Sequence, residues 1–168
     1  MSGITTRTTA ASVLAAALMA GGLAAVAQPA SAAQRPGNDL FNRAENLTSQ
    51  GCDASADGTN DGARGQADEP TYPSVGAAAP VQSVWFKWKS PVSDTVVIDT
   101  QGSDFDTLLG VYKGTALANL HLVAGNDDVD PSDTSSEVSF EARRNVTYKI
   151  AVDGYANRHG DYVLNITC

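Results

Sequence analysis

The sequence predicts an all-β protein, built as an antiparallel β-sandwich or barrel. Two observations lead to this fold class. Between residues 80 and 168, apolar residues recur at every second position in seven short segments, as half-buried strands require. Each segment is bounded by Gly, Pro, Asn, Asp or Ser, and this spacing of strands and turns is typical of sandwiches and barrels. No stretch after Gln34 carries the long stripe of an amphipathic helix.

The first predicted strand shows the alternation most clearly. In SVWFKWKSP, the side chains of Val84, Phe86 and Trp88 alternate with those of Trp85, Lys87 and Lys89. The other six predicted strands are TVVIDT, TLLGVYKG, LHLVAGND, EVSFEA, TYKIAVDGY and DYVLNIT. Before them, residues 51–79 are rich in Gly, Ala, Asp and Pro and predict a long irregular loop. NDLFNRAENL favours a short helix capped by Asn38 or Asp39.

Residues 1–33 have the features of a signal peptide. Arg7 precedes the uncharged run AASVLAAALMAGGLAAVA, and the small residues of QPASAA offer a cleavage site. We expect a secreted, extracellular protein that has no membrane segment after cleavage; a leader retained as a membrane anchor is the alternative. Residues 34–168 then form one domain, with ten basic against nineteen acidic residues and a formal charge of about −9. This charge disfavours nucleic acid and anionic lipid as partners.

Export also determines how the cysteines are interpreted. Cys52 and Cys168 are the only two, and an oxidising extracellular space favours a disulfide between them. The bond closes a loop of over 100 residues and is expected to stabilise the fold by roughly 3 to 5 kcal/mol. Two free thiols or an intermolecular disulfide are the alternatives.

The sequence gives little support for catalysis, and we predict that the chain is not an enzyme. It contains neither G-x-S-x-G nor H-E-x-x-H, and its two histidines, His121 and His159, fall in a predicted strand and a turn. The enzymatic alternative is a small secreted hydrolase that uses Asp104 or Asp106 with Asp127. The preferred role of the first two aspartates is structural, because Asp holds turns through bonds to nearby backbone N–H groups.

Calcium is the cofactor that so many carboxylates favour, since it takes six to eight hard oxygen ligands and tolerates irregular loops. One candidate set is Asn38 and Asp39 together with Asp68 and Glu69. The other is GNDDVDPSD, which contains Asn126, Asp127, Asp128, Asp130 and Asp133. The second set does not match EF-hand spacing, and a solvated acidic turn is its alternative interpretation.

Trp85 is the candidate ligand-binding aromatic residue. Alternation places it on the strand face opposite Trp88. Exposed there, its flat ring would suit a sugar, as in a carbohydrate-binding module; otherwise it packs in the interior, as large aromatic residues usually do.

Several motifs resemble the bacterial pre-peptidase C-terminal domain family. They are SVWFKWKSPVSDTVVIDTQGSDFDTLLGVYKG, LVAGNDD, VSFEARRNVTYKIAVDGY and GDYVLNI in this order, with NDLFNRA similar to the usual opening. The resemblance spans about residues 38–166 and implies a jelly-roll-like sandwich, normally a non-catalytic module of secreted peptidases. Collagenase relatives bind calcium through an N-terminal segment, which implies Asn38, Asp39 and Glu69 as ligands here, and some bind insoluble polymers.

The function expected from these observations is that of a secreted, non-catalytic binding or accessory domain. We expect it to be a monomer, to be stabilised by calcium and to contact an extracellular protein or polymer surface. A carbohydrate-binding module and a small hydrolase are the alternatives. A protease inhibitor, which would need a rigid loop near residues 71–79, is a further one.

Overall fold

The computed structural model describes residues 34–72 and 78–168, so the predicted signal peptide lies outside the described residues. In the described part, no helix is long and apolar enough to cross a membrane. The same part contains nine strands in two stacked sheets, which confirms the predicted all-β sandwich. The strands are β1 Glu45–Asn46, β2 Ala54–Thr59, β3 Val84–Lys89, β4 Thr95–Asp99, β5 Thr107–Lys113, β6 His121–Asn126, β7 Glu137–Glu141, β8 Thr147–Gly154 and β9 Asp161–Thr167.

The two sheets contain five and four strands. The larger has the order β1-β3-β8-β5-β6, and the smaller has the order β2-β9-β4-β7. Every pairing is antiparallel except that of the short β1 with β3. The seven strands predicted from alternation are all present as β3 to β9.

The main core lies between the sheets and is built by the inward residues of each strand. The larger sheet contributes Phe86, Trp88, Leu109, Val111, Ile150 and Val152, and the smaller contributes Val96, Ile98, Phe140, Leu164 and Ile166. Each of these side chains is almost entirely buried. Full burial of one such side chain stabilises the fold by roughly 1.5 to 3 kcal/mol, so the period of two is also the main energetic signal in the sequence.

The prediction of an irregular loop over residues 51–79 is wrong for its first part. Ala54–Thr59 forms β2, which pairs with β9 along its whole length. Ala54 and Ala56 are buried, whereas Ser55 and Asp57 are exposed. This alternation is weak in the sequence because Ala, Ser, Asp and Gly have low β-propensity. Pairing with β9 supplies the structure that local preference does not.

The predicted helix over NDLFNRAENL is also wrong. Only a 3-10 turn, Phe41–Arg43, forms there, followed by β1. The segment is extended because its backbone bonds to β3: Trp85 N–H donates to Asn38 O at 2.9 Å, and Leu47 N–H donates to Lys87 O at 3.0 Å. These bonds satisfy backbone groups that an isolated short helix would leave open at its ends.

The disulfide between Cys52 and Cys168 is present, as predicted. It links the residue two positions before β2 to the last residue of the chain, just after β9. Because β2 and β9 are paired, with Ala54 opposite Ile166, the two cysteines lie at the same end of one strand pair.

Candidate metal centre

The hairpin of β5 and β6 brings three aspartates together. The strands are antiparallel with Leu109 opposite Asn126, so the start of β5 lies beside the end of β6. Asp106 directly precedes β5, and Asp127 and Asp128 directly follow β6. The turn before one strand and the connection after the other therefore meet at one end of the larger sheet.

The three carboxylates converge closely. Each offers an oxygen that lies within 4.8 Å of the corresponding oxygens of the other two. Asp106 and Asp127 are half-buried, and Asp128 is exposed. One oxygen each of Asp106 and Asp127, Oδ1 in both, is buried and has no hydrogen-bond partner. Leaving such an atom without a partner costs free energy, and a cation bound among the three acids would satisfy both oxygens at once.

Burial and the proximity of the other carboxylates change the pKa values of Asp106 and Asp127. Burial, reinforced by the charges of Asp128 and Asp106, raises the pKa of Asp127 to about 6. Burial and the charge of Asp128 raise the pKa of Asp106, against the opposing effect of Arg158. Both shifts mean that burial, together with the charges of neighbouring aspartates, disfavours the ionised forms of Asp106 and Asp127 when no cation is bound.

The raised pKa of Asp127 predicts that the metal-free protein gains stability on mild acidification. Between pH of about 4 and about 6 the folded protein keeps a proton on Asp127 that the unfolded chain has lost. The free energy of unfolding should therefore fall as pH rises through this window. Because Asp127 is partly solvated, we expect a change on the order of 1 kcal/mol. Urea unfolding in chelator at several pH values measures it.

The matched variant for this experiment is Asp127→Asn, which removes the proton-binding group and keeps the shape. Other acids of this chain also titrate in the same window, so the informative quantity is the difference between wild type and variant. That difference should grow from pH 4 to pH 7. Identical pH profiles for the two proteins would contradict the assignment.

Asp130 and Asp133 of the predicted cluster GNDDVDPSD do not join the centre. Asp130 Oδ1 accepts hydrogen bonds from the N–H and hydroxyl of Ser132, and Asp133 Oδ1 accepts the same pair from Ser135. These two aspartates hold the connection between β6 and β7 by bonds to their own backbone, as acidic turns do. The acidic segment therefore contains residues with two different roles. Asp130 and Asp133 hold the turn, and Asp127 and Asp128 lie beside Asp106.

Backbone and hydroxyl bonds fix the position of the centre. Ser136 Oγ lies 2.6 Å from Asp127 O and 2.7 Å from Thr107 O, and Thr107 N–H donates to Thr134 O. Ser136 and Thr107 are fully buried. The connection that carries Asp127 is therefore tied to the first residue of β5, next to Asp106.

The structural role predicted for Asp106 is not seen, because its Oδ1 has no hydrogen-bond partner. Asp104 does hold a backbone N–H, but that group belongs to β9 and not to the turn before β5. Asp104 Oδ1 accepts a hydrogen bond from Asp161 N–H at 2.8 Å, and Gly160 allows this approach because a Cβ there would overlap the carboxylate. Phe105 is half-buried and packs against the main core. Beside them lies a polar cleft of about 450 Å³ whose lining includes Asp106, Arg158 and His159.

In the first predicted calcium set, Asp39 and Glu69 serve as hydrogen-bond acceptors and Asn38 serves as a donor. Asp39 accepts from Arg64 N–H at 2.6 Å and from Arg35 at 3.0 Å. Glu69 accepts from Gln66 N–H at 3.0 Å, Ser83 Oγ at 2.6 Å and Trp85 Nε1 at 3.3 Å. Asn38 Nδ2 donates to Tyr162 OH. Calcium at Asn38, Asp39 and Glu69 stays a prediction. The carboxylates of Asp39 and Glu69 already accept hydrogen bonds, whereas Oδ1 of Asp106 and Oδ1 of Asp127 do not.

No family model matches the chain, and no curated protein matches it. In structure the chain is similar to the pre-peptidase C-terminal domain of a collagenase from Bacillus anthracis. The TM-score is 0.47 and the sequence identity is 14%, over 80% of this chain and 99% of that domain. The family indicated by the sequence motifs is also the family of this solved domain.

The alternative in which Trp85 is exposed is wrong, since its side chain is 1% exposed. Phe41 packs edge-on against the Trp85 ring, with 5.2 Å between the ring centroids, and the centroid of the Tyr112 ring lies 6.0 Å from that of Trp85. Together with Tyr72 these residues belong to a second apolar cluster on the outer side of the larger sheet. The sequence hardly reveals this second apolar cluster, because Phe41 and Tyr72 lie in segments without alternation of apolar and polar residues.

Asp153 is a further polar residue whose role the sequence does not reveal. It is 1% exposed and accepts hydrogen bonds from the N–H groups of Val81, Gln82 and Gly154 at 2.8 to 2.9 Å. These bonds tie the segment before β3 to the end of β8. In sequence Asp153 resembles an ordinary strand-end aspartate, because two of its three partners, Val81 and Gln82, lie over 70 residues away.

Proposed function

We propose that this chain is a secreted, non-catalytic accessory domain stabilised by calcium bound at Asp106, Asp127 and Asp128. The observation that supports calcium best is the pair of buried, unpartnered carboxylate oxygens in a group of three acids. In this proposal the domain contacts an extracellular protein or polymer surface. The disulfide is consistent with export to an oxidising compartment.

The chemistry of the three acids fits a hard cation. Calcium binds oxygens at 2.3 to 2.6 Å, so two ligands of one ion lie at most about 5 Å apart. The 4.8 Å limit on the three oxygens satisfies this condition. Three carboxylates carry six oxygens, and the exposed side of Asp128 leaves room for water as additional ligand.

The physical effect of the ion would be to join two parts of the fold. Asp106 belongs to the turn that enters β5, and Asp127 and Asp128 belong to the connection from β6 to β7. A divalent cation would remove the repulsion among the three acids and stabilise the folded state only. Stability of an exported domain would thus depend on extracellular calcium.

Calcium at a hundredfold excess over its Kd should raise the free energy of unfolding by about 2.7 kcal/mol. Urea unfolding at neutral pH with calcium or with chelator measures this difference. Asp106→Asn should lose most of the gain, because it removes a ligand charge while preserving shape. Asp133→Asn is the matched control and should keep it, since Asp133 bonds to its own turn.

Glu69→Gln separates the two candidate calcium sets. If Asp106, Asp127 and Asp128 form the site, this variant starts from a lower midpoint, because Glu69 anchors Ser83 and Trp85, but it keeps the calcium gain. A gain lost in Glu69→Gln and kept in Asp106→Asn would move the site to the N-terminal set. A midpoint that calcium never changes would contradict calcium binding at either set.

A second candidate function, a small glycosidase, is favoured by one observation. Asp106 and Asp127 are neighbouring carboxylates, and the pKa of Asp127 is raised to about 6, as a general acid requires. Turnover of a chromogenic glycoside that Asp127→Asn abolishes would support this function. If the chain is an accessory domain and not a glycosidase, the wild type and Asp127→Asn should show the same absence of turnover.

A further inference from the structure

The polar cleft beside the metal centre contains two charged groups without partners. One is the Asp106 carboxylate, whose buried Oδ1 accepts no hydrogen bond. The other is the exposed Arg158 guanidinium, which forms no ion pair with any described residue. The remaining charged groups of the lining are engaged, since Asp104 accepts a backbone N–H and His159 Nδ1 lies 3.5 Å from Asp61 Oδ1. The polar pairing of the cleft is therefore incomplete at Asp106 and Arg158.

Asp106 belongs both to the wall of this cleft and to the group of three acids. Burial and the charge of Asp128 raise the pKa of Asp106, and the charge of Arg158 opposes them, so the guanidinium lies near this carboxylate. Calcium bound at Asp106 would be about 2.3 to 2.6 Å from one of its oxygens. The ion and the Arg158 guanidinium would then be neighbours at the cleft.

The loop between β8 and β9 holds the backbone of Arg158 in a fixed position. Tyr155 N–H donates to Asp106 O at 2.9 Å, and Arg158 N–H donates to Tyr155 O at 2.9 Å. Gly154 lets the Arg158 carbonyl approach, because a Cβ at Gly154 would overlap it. Ala156 has a φ of 49°, a left-handed conformation that a residue other than glycine keeps only where its surroundings enforce it. The loop is thus tied to the same aspartate that joins the cleft to the metal centre.

With calcium bound, the cleft would present two cationic groups side by side. The charge of Asp106 would then be directed at the ion, and among the described residues no other acid pairs with Arg158. Calcium takes six to eight oxygen ligands, so three carboxylates leave positions that water fills. An incoming carboxylate can replace such a water with one oxygen and accept hydrogen bonds from the guanidinium with the other.

We propose that this cleft binds an acidic side chain of a partner polypeptide between Arg158 and a calcium ion held by Asp106, Asp127 and Asp128. Recognition of acidic motifs through arginine is a recurring mode of peptide binding. The cleft volume of about 450 Å³ lies toward the lower end of the range for ligand sites, which suits one side chain with its flanking backbone. The inference rests on the calcium-stabilised accessory role proposed above and gives that role a partner class.

The probe is the blocked peptide acetyl-Gly-Asp-Gly-amide, and acetyl-Gly-Asn-Gly-amide is its neutral control of the same shape. Each is titrated into isotope-labelled mature protein with saturating calcium, and the backbone amide chemical shifts are followed by NMR. Only the aspartate peptide should move the signals of Asp106, Thr134, Arg158 and His159. Arg158→Gln removes a charged hydrogen-bond donor and should weaken binding at least about tenfold. Arg144→Gln makes the same charge change before the start of β8, at the end opposite Arg158, and should bind within about twofold of the wild type.

Coupling between calcium and the peptide gives a second measurement. Removal of calcium by chelator should weaken peptide binding at least about fivefold, and the peptide should tighten calcium binding by the same factor. In Arg158→Gln the coupling should be lost. The increase in the free energy of unfolding that calcium gives should be kept in this variant, because the substitution removes a cation from the vicinity of the ion and leaves the three ligands in place.

Equal binding of the peptide by the wild type and Arg158→Gln would overturn the proposal, as would equal binding of the aspartate and asparagine peptides. An absence of chemical-shift changes at millimolar peptide would also overturn it, and so would a preference of the cleft for oligogalacturonate, an acidic polysaccharide. If calcium never stabilises the wild type, the proposed metal site fails. If calcium stabilises the wild type and Arg158→Gln alike but no peptide binds, only the present inference fails.

Discussion

Replacing both Cys52 and Cys168 by serine should lower the free energy of unfolding by about 3 to 5 kcal/mol. The bond joins residues 116 positions apart, so it removes a large part of the conformational freedom of the unfolded chain. It also lies beside β2, an edge strand of small residues whose only sheet neighbour in the described residues is β9. Urea unfolding followed by tryptophan fluorescence measures the loss.

Reduction of the wild type provides the matched control for this experiment. The reduced protein and the double serine variant should have the same midpoint, because both lack the bond and little else differs. Hydrogen exchange should accelerate most in Ala54–Thr59, the strand that the bond holds at one end. A loss below about 1 kcal/mol would mean that strand pairing alone confines this end of the chain.

The fold from β3 onward was predictable because its strands carry large side chains in clear alternation. In β7, for example, Val138 and Phe140 are buried between exposed Glu137, Ser139 and Glu141. A shift of register by one residue would expose both apolar side chains. Local pattern and tertiary burial agree in β4, β7 and β9. They disagree in β6, where the pattern places Leu122 on the buried side but its side chain is 45% exposed.

The N-terminal half was predicted less well because its structure depends on distant partners. Ala54 and Ala56 carry little hydrophobic signal, yet β9 pairs with them and the main core buries them. Leu47 suits a helical stripe, but its N–H bonds to Lys87 on β3 and its side chain is fully buried. In both cases tertiary contact overrides a weak local preference.

The candidate metal centre was predictable in part. Asp127 and Asp128 follow from the density of carboxylates, and the pairing of Asp106 with Asp127 appears among the sequence hypotheses only as a catalytic alternative. The hairpin register of β5 and β6 is what places Asp106 beside them. The absence of hydrogen-bond partners for two of their oxygens is a three-dimensional property that no spacing of residues encodes.

Trp85→Ala should destabilise the protein by about 3 to 5 kcal/mol, the typical cost of removing a buried tryptophan. The side chain is 1% exposed and packs between Phe41 and Tyr112. Its loss would also remove the Nε1 donor to Glu69 and the surface that holds the N-terminal segment on the larger sheet. Thermal and urea unfolding of the mature protein measure the effect.

Trp85→Phe separates packing from hydrogen bonding at the same position. It keeps an aromatic ring against Phe41 but lacks the donor to Glu69, so we expect a smaller loss of about 1 to 2 kcal/mol. A sugar-binding tryptophan would behave in the opposite way. Truncation of an exposed ring would leave the midpoint almost unchanged and abolish retention on insoluble polysaccharide. That result for Trp85→Ala would show that the N-terminal segment does not cover β3 in solution, and the second apolar cluster would not exist there.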